Sequence, residues 1–257
     1  MSNEIEELID TMLKSDKFQG VYLYGSTSTG KTYEVINALT KLNKINDTKI
    51  INSHITPLSL FITLQQSNNK IILLDDVDNF NDTSIALLKS CCWDINGERR
   101  VTWLTTSRLI YELGLEKEFL FTGKIIITSN SSSNYKSFEP VLARMLSYEK
   151  YLSLKDIADI SIGIFNKYDI ATEFVEFKDK WIKPYIKGLH LRNILKYCEY
   201  IKAGHKDLCN DLFEVDEMLE AIHNKMDRLE FIKVFDCTIR TYQRYAKKYK
   251  NMMIKYE

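Results

Sequence analysis

One segment near the N-terminus combines small residues with a lysine and a threonine at its end. Its residues are, in order, Gly25, Ser26, Thr27, Ser28, Thr29, Gly30, Lys31 and Thr32. Small side chains let backbone N–H groups approach an anion closely, and the lysine adds a positive charge. We expect this segment to bind the phosphates of a nucleotide, with Lys31 reaching the β- and γ-phosphates and the Thr32 hydroxyl binding Mg²⁺. The alternative is a glycine-rich turn without a ligand.

Two adjacent carboxylates follow an apolar run further along the chain. In "KIILLDDVDNF", the residues Ile71 to Leu74 predict a buried parallel strand, and Asp75 and Asp76 come directly after it. Asp75 is expected to contribute to the Mg²⁺ site, and Asp76 is expected to act as the base that orients an attacking water. Outside this context, two acids after an apolar run would predict a solvated turn.

A third apolar run ends in polar residues as well. The segment "GKIIITSNSS" predicts a strand over Lys124–Ile127, followed by Thr128, Ser129 and Asn130. Ligands of α/β proteins bind at the carboxyl ends of parallel strands, so Asn130 is expected to hold the attacking water or the γ-phosphate. An isolated asparagine at such a position would instead predict a turn.

The segments around the glycines indicate how these side chains are positioned. Val21–Tyr24 is rich in strand-forming residues, and the segment after Gly30 has apolar residues at helical spacing. These apolar residues are Val35, Ile36, Leu39 and Leu42. A strand, a glycine-containing loop and a helix are the context of a P-loop. The sequence therefore predicts an α/β fold with a parallel sheet flanked by helices.

With these three motifs in this order, the chain resembles the AAA+ superfamily of ring-forming P-loop ATPases from about Val21 to Gly204. The resemblance implies a small α-helical lid, ATP and Mg²⁺ as cofactors, and assembly into a homo-oligomer, for which a hexameric ring is the expected form. It also implies that Asn130 is the first sensor residue, that Arg144 completes a neighbouring subunit's active site, and that Arg192 is a second sensor in the lid. The family usually has glutamate where this chain has Asp76, which leaves slow or partner-dependent hydrolysis open.

The segment between the second and third strands predicts an inserted hairpin near residues 93–104. Asn96 and Gly97 separate two runs of alternating character, which is a turn signal. The insertion is similar to that of the superfamily III helicases of viruses and plasmids, and the surrounding run also resembles unassigned ATPases of tailed bacteriophages. That resemblance implies that Arg99 and Arg100 contact DNA at the hairpin tip. Alternatively, the hairpin packs on the core with Trp103 as its anchor.

The C-terminal part of the chain is predicted to be helical. We expect an AAA+ domain over residues 1–153, a helical lid over 154–225 and a basic C-terminal helix over 226–257. In the last segment, basic residues alternate with tyrosines, a combination that suits phosphates and unpaired bases. At helical spacing, however, the tyrosines also fit a buried face with the lysines on the solvated side.

Composition restricts the function further. The 257 residues include 35 Lys and Arg against 35 Asp and Glu, so binding through charge must be local. No secretory signal or membrane span is predicted, and a cytoplasmic location, which includes that of a virus-infected cell, is expected. The resemblances to the AAA+ superfamily and to the superfamily III helicases imply an ATP-hydrolysing ring acting on DNA, preferably single-stranded, in viral or plasmid replication, with a replication protein as a candidate partner. A helicase loader or transposition-type regulator, and a protein-remodelling ATPase that binds no nucleic acid, are the alternatives.

Overall fold

The computed structural model describes residues 4–52, 54–77, 80–104, 106–130 and 138–256 of the chain. The chain divides into two compact units, Met1–Lys150 and Tyr151–Glu257. Each unit has a hydrophobic core of its own.

A five-stranded parallel sheet forms the centre of the first unit. The strands of this unit are β1 (Gly20–Tyr24), β2 (Thr48–Asn52), β3 (Ile71–Asp75), β4 (Arg100–Thr102), β5 (Glu118–Leu120), β6 (Lys124–Ser129) and β7 (Leu146–Glu149). The order in the sheet is β2-β3-β6-β1-β7, and β4 and β5 form a separate two-stranded ribbon. The apolar runs that predicted the second and third strands form β3 and β6, which lie side by side within the sheet.

Helices cover both faces of this sheet. They are α1 (Glu4–Lys14), α2 (Lys31–Lys41), α3 (Pro57–Gln66), α4 (Asp82–Cys92), α5 (Arg108–Glu112) and α6 (Glu139–Leu142), together with a short 3-10 helix at Ile45–Asp47. Alternate side chains of a strand point to opposite faces. Leu23 and Leu73 therefore pack in one core with α1 and α2, whereas Tyr22 and Ile72 pack in the other with α3, α4 and α6.

The register of the sheet brings the polar strand ends together. Leu23 of β1 is opposite Thr128 of β6, and Leu74 of β3 is opposite Ile127. Because all three strands run in the same direction, the residues that follow them emerge at one edge. The P-loop, the aspartates after β3 and the residues after β6 consequently lie at the same edge of the sheet.

The insertion between α4 and β6 differs in part from the predicted hairpin. A tight turn lies at Asn96 and Gly97, which both have positive φ angles, 57° and 84°, as a type I′ turn requires. Ile95 and Glu98 pair across this turn. The strand that follows, β4, pairs with β5 rather than with the residues before the turn. The two strands of the ribbon are therefore joined by a long connection that contains α5. The Asn-Gly turn signal in the sequence does not reveal this connection.

The second unit is helical apart from one very short pair of strands. Its helices are α7 (Leu154–Lys167), α8 (Phe174–Trp181), α9 (Leu191–Lys202), α10 (Glu217–His223), α11 (Arg228–Val234) and α12 (Ile239–Tyr256). The strands β8 (Ile186–Lys187) and β9 (Glu214–Val215) pair antiparallel, and 3-10 helices lie at Ala171–Glu173 and Lys206–Leu212. Aromatic side chains of α7, α8 and α9 pack at the centre of this unit. Among the helices in the described part of the chain, none is long and apolar enough to cross a bilayer.

Candidate nucleotide-binding site

At two positions, the loop between β1 and α2 has a backbone conformation that favours glycine. Gly30 has φ 84° and directly precedes α2. Gly25 has φ 143°, and a Cβ atom built on it would lie 2.0 Å from the carbonyl oxygen of Lys150. Glycine is therefore required at position 25 by both conformation and space. The loop leads into the N-terminus of α2, where the N–H groups of the first helical turn and the positive end of the helix dipole favour an anion.

Lys31 lies inside this loop rather than in solvent. The side chain is buried, and Nζ donates hydrogen bonds to the carbonyl oxygens of Gly25 at 3.1 Å and Ser26 at 2.8 Å. A third bond joins Nζ to Oδ1 of Asn130 at 3.0 Å. These bonds hold the ammonium group beside the N-terminus of α2, where it would neutralise phosphate charge.

Asp75 receives two hydroxyl hydrogen bonds on the same oxygen. Thr32 Oγ1 and Thr128 Oγ1 each donate to Asp75 Oδ1 at 2.6 Å. Asp75 is buried at the end of β3, and Thr128 is fully buried in β6. The carboxylate is thus fixed between the start of α2 and the neighbouring strand.

The oxygen atoms of Thr32 and Asp75 fit a magnesium ion. Mg²⁺ prefers oxygen ligands and is usually bound through one or two carboxylates, with water and substrate phosphates completing its shell. Within the described residues, no group of three or more His, Cys, Asp or Glu side chains is arranged to hold a metal ion. An ion bound here would therefore take most of its ligands from water and phosphate.

Asp76 is turned away from the strand that precedes it. Its φ angle is 54°, in the left-handed region that aspartate adopts more readily than most residues. The backbone N–H of Asp76 donates to Thr128 Oγ1 at 3.1 Å, and Asn130 Nδ2 donates to Asp76 Oδ1 at 2.8 Å. Unlike Asp75, Asp76 is exposed. This difference suits the two predicted roles, because a base must reach water whereas a metal-binding carboxylate need not.

Thr128 is a residue of this site whose role the sequence did not indicate. Its hydroxyl donates to the Asp75 carboxylate and accepts from the backbone N–H of Asp76, so one side chain fixes both the carboxylate of Asp75 and the backbone of Asp76. The available signal was a hydroxyl residue in an otherwise apolar strand. That signal identifies a polar strand end, but only the register of β3 and β6 shows which neighbours it contacts.

An ion pair connects the structural elements on either side of the P-loop. Lys150 Nζ lies 3.0 Å from Glu34 Oε1, and both side chains are largely shielded from solvent. Lys150 also donates its backbone N–H to the carbonyl of Tyr24, the last residue of β1. The pair therefore joins the end of β7 to α2 on either side of the P-loop.

Arg144 does not contact the loop of its own chain in the described structure. The residue lies between α6 and β7, half-buried, and its Nη1 donates to the carbonyl oxygen of Pro140. Its guanidinium lies 4.3 Å from the centre of the Trp93 ring, which is 53% exposed. The arginine is thus held at the surface of the first unit by an aromatic residue of the insertion.

Arg192 belongs to the second unit. It lies in the first turn of α9 and is exposed. His190 caps the start of this helix, and its Nδ1 accepts a hydrogen bond from the N–H of Asn193 at 3.2 Å. The sequence placed Arg192 at the opening of a lid helix, and a helix does begin there.

The two arginines of the insertion are engaged with protein groups. Arg99 is half-buried rather than exposed at a tip: Nη1 donates to the carbonyl oxygens of Cys91 at 3.0 Å and Gly123 at 2.8 Å. Burial lowers the pKa of Arg99. Arg100 is exposed, and it pairs with Glu118 at 2.6 Å and Glu98 at 3.0 Å. Neither arginine is the free cation that the sequence predicted. Arg99 donates to two backbone carbonyl oxygens, and Arg100 pairs with two glutamates.

The sheet order, the P-loop after β1 and the acidic end of β3 define the fold of the AAA+ P-loop NTPases. The structure resembles RuvB of Thermotoga maritima, which has this fold. For an arginine-to-alanine variant of RuvB, the TM-score is 0.56 with 12% sequence identity, covering 96% of this chain and 87% of that one. For a proline-to-glycine variant, the TM-score is 0.55 with 13% identity, covering 94% and 84%.

The sequence comparisons add a relative from a bacteriophage. An uncharacterized 36.7 kDa protein from the nrdC–mobD intergenic region of Enterobacteria phage T4 is 32% identical over 145 residues. The match covers 53% of this chain and 45% of the relative, so the chain spans less than half of that protein. No protein-family model matches the sequence.

Proposed function

We propose that the protein is a Mg²⁺-dependent ATPase of the AAA+ type that acts on DNA. The observation that carries the proposal is the set of contacts between the P-loop and the ends of β3 and β6. Lys31 contacts Asn130, Asn130 contacts Asp76, and Thr32 contacts Asp75. One edge of the sheet thus presents a cation, two carboxylates and an amide next to a helix N-terminus.

Each of these groups has a role in phosphoryl transfer. The loop N–H groups and Lys31 would hold the β- and γ-phosphates, and Thr32 and Asp75 would hold Mg²⁺. Bound magnesium would offset charge on the phosphate oxygens. Asp76 would accept a hydrogen bond from the attacking water and take its proton as the water oxygen bonds to the γ-phosphorus, while the bond from the γ-phosphorus to the bridging oxygen breaks and ADP leaves. Asn130 would fix Asp76 relative to Lys31.

The finer proposal is a homo-oligomeric ring, with six subunits as the expected number, in which Arg144 acts on the nucleotide of a neighbour. Its support is the position of Arg144, which lies at the surface beside the exposed Trp93 and makes no contact with its own P-loop within the described residues. A cation supplied from a neighbour would stabilise charge that develops during phosphoryl transfer. Arg192, from the second unit, is proposed as a further cation that senses the nucleotide.

The proposal includes two modes of action on DNA. The first is a helicase-like translocase in viral or plasmid replication, a setting with which the phage origin of the T4 relative agrees. It would require Arg100 to exchange its two glutamate partners for phosphates, whereas Arg99 is held by the carbonyl oxygens of Cys91 and Gly123. The second is a loader or regulator tethered to DNA, and it is favoured by the pairing of Arg100 with two glutamates and by the exposed basic residues of α12.

The test is the rate of phosphate release from ATP with Mg²⁺, measured alone, with single-stranded DNA and with duplex DNA. The mass of the particle is measured in parallel with a non-hydrolysable ATP analogue. The proposal expects Mg²⁺-dependent hydrolysis, a larger particle with nucleotide, and a rate that changes with DNA. If the protein hydrolyses ATP but binds neither single-stranded nor duplex DNA, and its rate changes with neither, the result would instead support a protein-remodelling ATPase.

A further inference from the structure

The C-terminal helix concentrates positive charge in a chain whose net charge is zero. α12 contains six basic residues and no acidic residue in its 18 positions. The six are Arg240, Arg244, Lys247, Lys248, Lys250 and Lys255. Of the 35 basic residues in the chain, six thus lie on one helix without a compensating carboxylate in that helix. Such local charge is the electrostatic signature of a nucleic-acid contact.

The basic residues lie on one face of α12. Successive residues of a helix are about 100° apart around its axis, since a turn contains 3.6 residues. The exposed residues fall on one half of the helix: Ile239, Arg240, Gln243, Arg244, Lys247, Lys248, Lys250, Asn251 and Ile254. The half-buried residues fall on the other half: Thr241, Tyr242, Tyr245, Ala246, Tyr249, Met252 and Met253. The outward face therefore carries five cations, two amides and two apolar residues.

The inward face is fixed to the second unit by the tyrosines. The ring of Tyr242 packs edge-on against Phe231 of α11 at 5.2 Å, and the Tyr249 hydroxyl lies 2.8 Å from Nδ1 of His223 in α10. Stacking on unpaired bases requires exposed aromatic faces. Of the two alternatives that the sequence left open, the contacts of Tyr242 and Tyr249 favour the one in which the tyrosines pack against the protein.

Four of the five outward cations have no carboxylate partner among the described residues. Lys248 pairs with Asp216 at 3.2 Å, and Asp216 is buried at the start of α10. No ion pair in the described part of the chain involves Arg240, Arg244, Lys247 or Lys250. Lys248 thus anchors the helix, while the other four are available to an external anion.

α11 and α12 are joined as in a helix-turn-helix. α11 ends at Val234 and α12 begins at Ile239, so four residues form the turn. Asp236 in this turn has φ 43°, the left-handed conformation that reverses the chain sharply. Phe231 of α11 is fully buried and contacts both Phe235 and Tyr242, so the two helices share a core. Two helices joined by a turn of three or four residues are the arrangement that places a second helix in the major groove.

We infer that α12 binds duplex DNA by lying in the major groove with its basic face toward the bases and phosphates. This inference rests on the proposed action on DNA. It adds that the DNA is a duplex and that α12 is the element that contacts it. A helix of about 10–12 Å diameter fits a major groove about 12 Å wide. Arg244, Lys247 and Lys250 contact phosphates on the groove walls, and Arg240 and Gln243, in the first turns, reach base edges. The absence of acidic residues from α12 avoids repulsion from either strand.

The experiment compares binding of the full chain to a short mixed-sequence duplex and to the single strand of the same length, by fluorescence anisotropy over a range of salt concentrations. The test variant carries Arg244→Gln and Lys247→Gln. The control variant carries Lys155→Gln and Lys178→Gln, which remove the same charge from exposed positions on α7 and α8. The wild type is expected to prefer the duplex.

The α12 variant is expected to bind the duplex about tenfold or more weakly than the wild type at low salt. Its log–log salt slope is expected to fall by about one unit for each phosphate that the variant no longer neutralises. The control variant is expected to bind as the wild type does. Equal weakening in both variants, no weakening in the α12 variant, a preference for single strands, or no duplex binding by the wild type would each overturn the inference. Circular dichroism of both variants shows whether the fold is kept.

Phosphate release by the wild type, measured without DNA, separates this inference from the proposed ATPase. Duplex binding that depends on α12 in a protein that does not hydrolyse ATP would leave the inference intact and refute the ATPase. Hydrolysis without duplex binding would refute the inference alone.

Discussion

The side-chain amide of Asn130 joins Asp76 to Lys31: Nδ2 donates to Asp76 Oδ1 at 2.8 Å, and Oδ1 accepts from Lys31 Nζ at 3.0 Å. The amide of Asn130 thus contacts both the proposed base, Asp76, and the proposed phosphate-binding residue, Lys31. An asparagine suits this position because it offers one donor group and one acceptor on the same planar amide. The contact relates the position of the base to the position of the γ-phosphate.

Asn130→Asp should separate these two contacts. The substitution keeps an oxygen for Lys31 but replaces the donor to Asp76 with a second carboxylate, which repels it. We expect nucleotide binding to be retained and hydrolysis to fall by about 10²-fold, because the base is displaced. Nucleotide titration beside phosphate release measures both effects. A wild-type rate in this variant would show that Asn130 does not position Asp76.

Thr128→Val should weaken both stability and hydrolysis. The valine has nearly the same shape but removes the donor to Asp75 and the acceptor for the N–H of Asp76. Loss of a hydrogen bond to a buried carboxylate lowers the free energy of unfolding by about 1–3 kcal/mol, which urea denaturation measures. Thr128→Ser retains the hydroxyl and serves as the control, so it should restore most of the hydrolysis rate. If valine and serine behave alike, the hydroxyl has no role.

Arg144→Ala should give subunits that assemble but hydrolyse ATP slowly. A cation that acts on a neighbour's phosphates contributes about 10³-fold or more to the rate. Mixing Arg144→Ala with Lys31→Ala subunits should restore part of the activity, because some interfaces then combine an intact loop with an intact arginine. Full activity of Arg144→Ala in a demonstrably oligomeric particle would place this function elsewhere, with Arg108 as the next candidate.

Arg99→Met should destabilise the first unit, whereas Arg100→Met should change its stability little. Methionine is also unbranched, but it lacks the guanidinium that lies over the Phe121 ring, and it leaves the carbonyl oxygens of Cys91 and Gly123 without this donor. The expected decrease is about 1–3 kcal/mol in the free energy of unfolding. Arg100 forms exposed ion pairs, which contribute little. Urea denaturation of both variants tests the contrast, and equal stability would contradict the structural role of Arg99.

Those parts of the candidate site that depend on local sequence could be predicted. The glycines, Lys31 and the acidic end of β3 follow from residue type and strand direction, and the fold of the first unit follows from them. Contacts between distant segments could not be predicted. The bonds of Thr128 depend on which strand lies beside β3, and the burial of Arg99 depends on the pairing of β4 with β5. The sequence left open whether the tyrosines of α12 contact bases or the protein, and only the contacts of Tyr242 with Phe231 and of Tyr249 with His223 favour the protein.

The most direct test of the account compares Lys31→Ala with Asp76→Asn in nucleotide titrations and in phosphate release with Mg²⁺. Lys31→Ala should abolish productive ATP binding, because the loop then lacks the cation that neutralises the phosphates. Asp76→Asn should bind ATP and Mg²⁺ as the wild type does and release phosphate at least about 10²-fold more slowly, because an amide cannot take a proton from water. Unchanged turnover in Asp76→Asn would contradict the assignment of Asp76 as the base, and unchanged ATP binding and hydrolysis in Lys31→Ala would contradict the site itself.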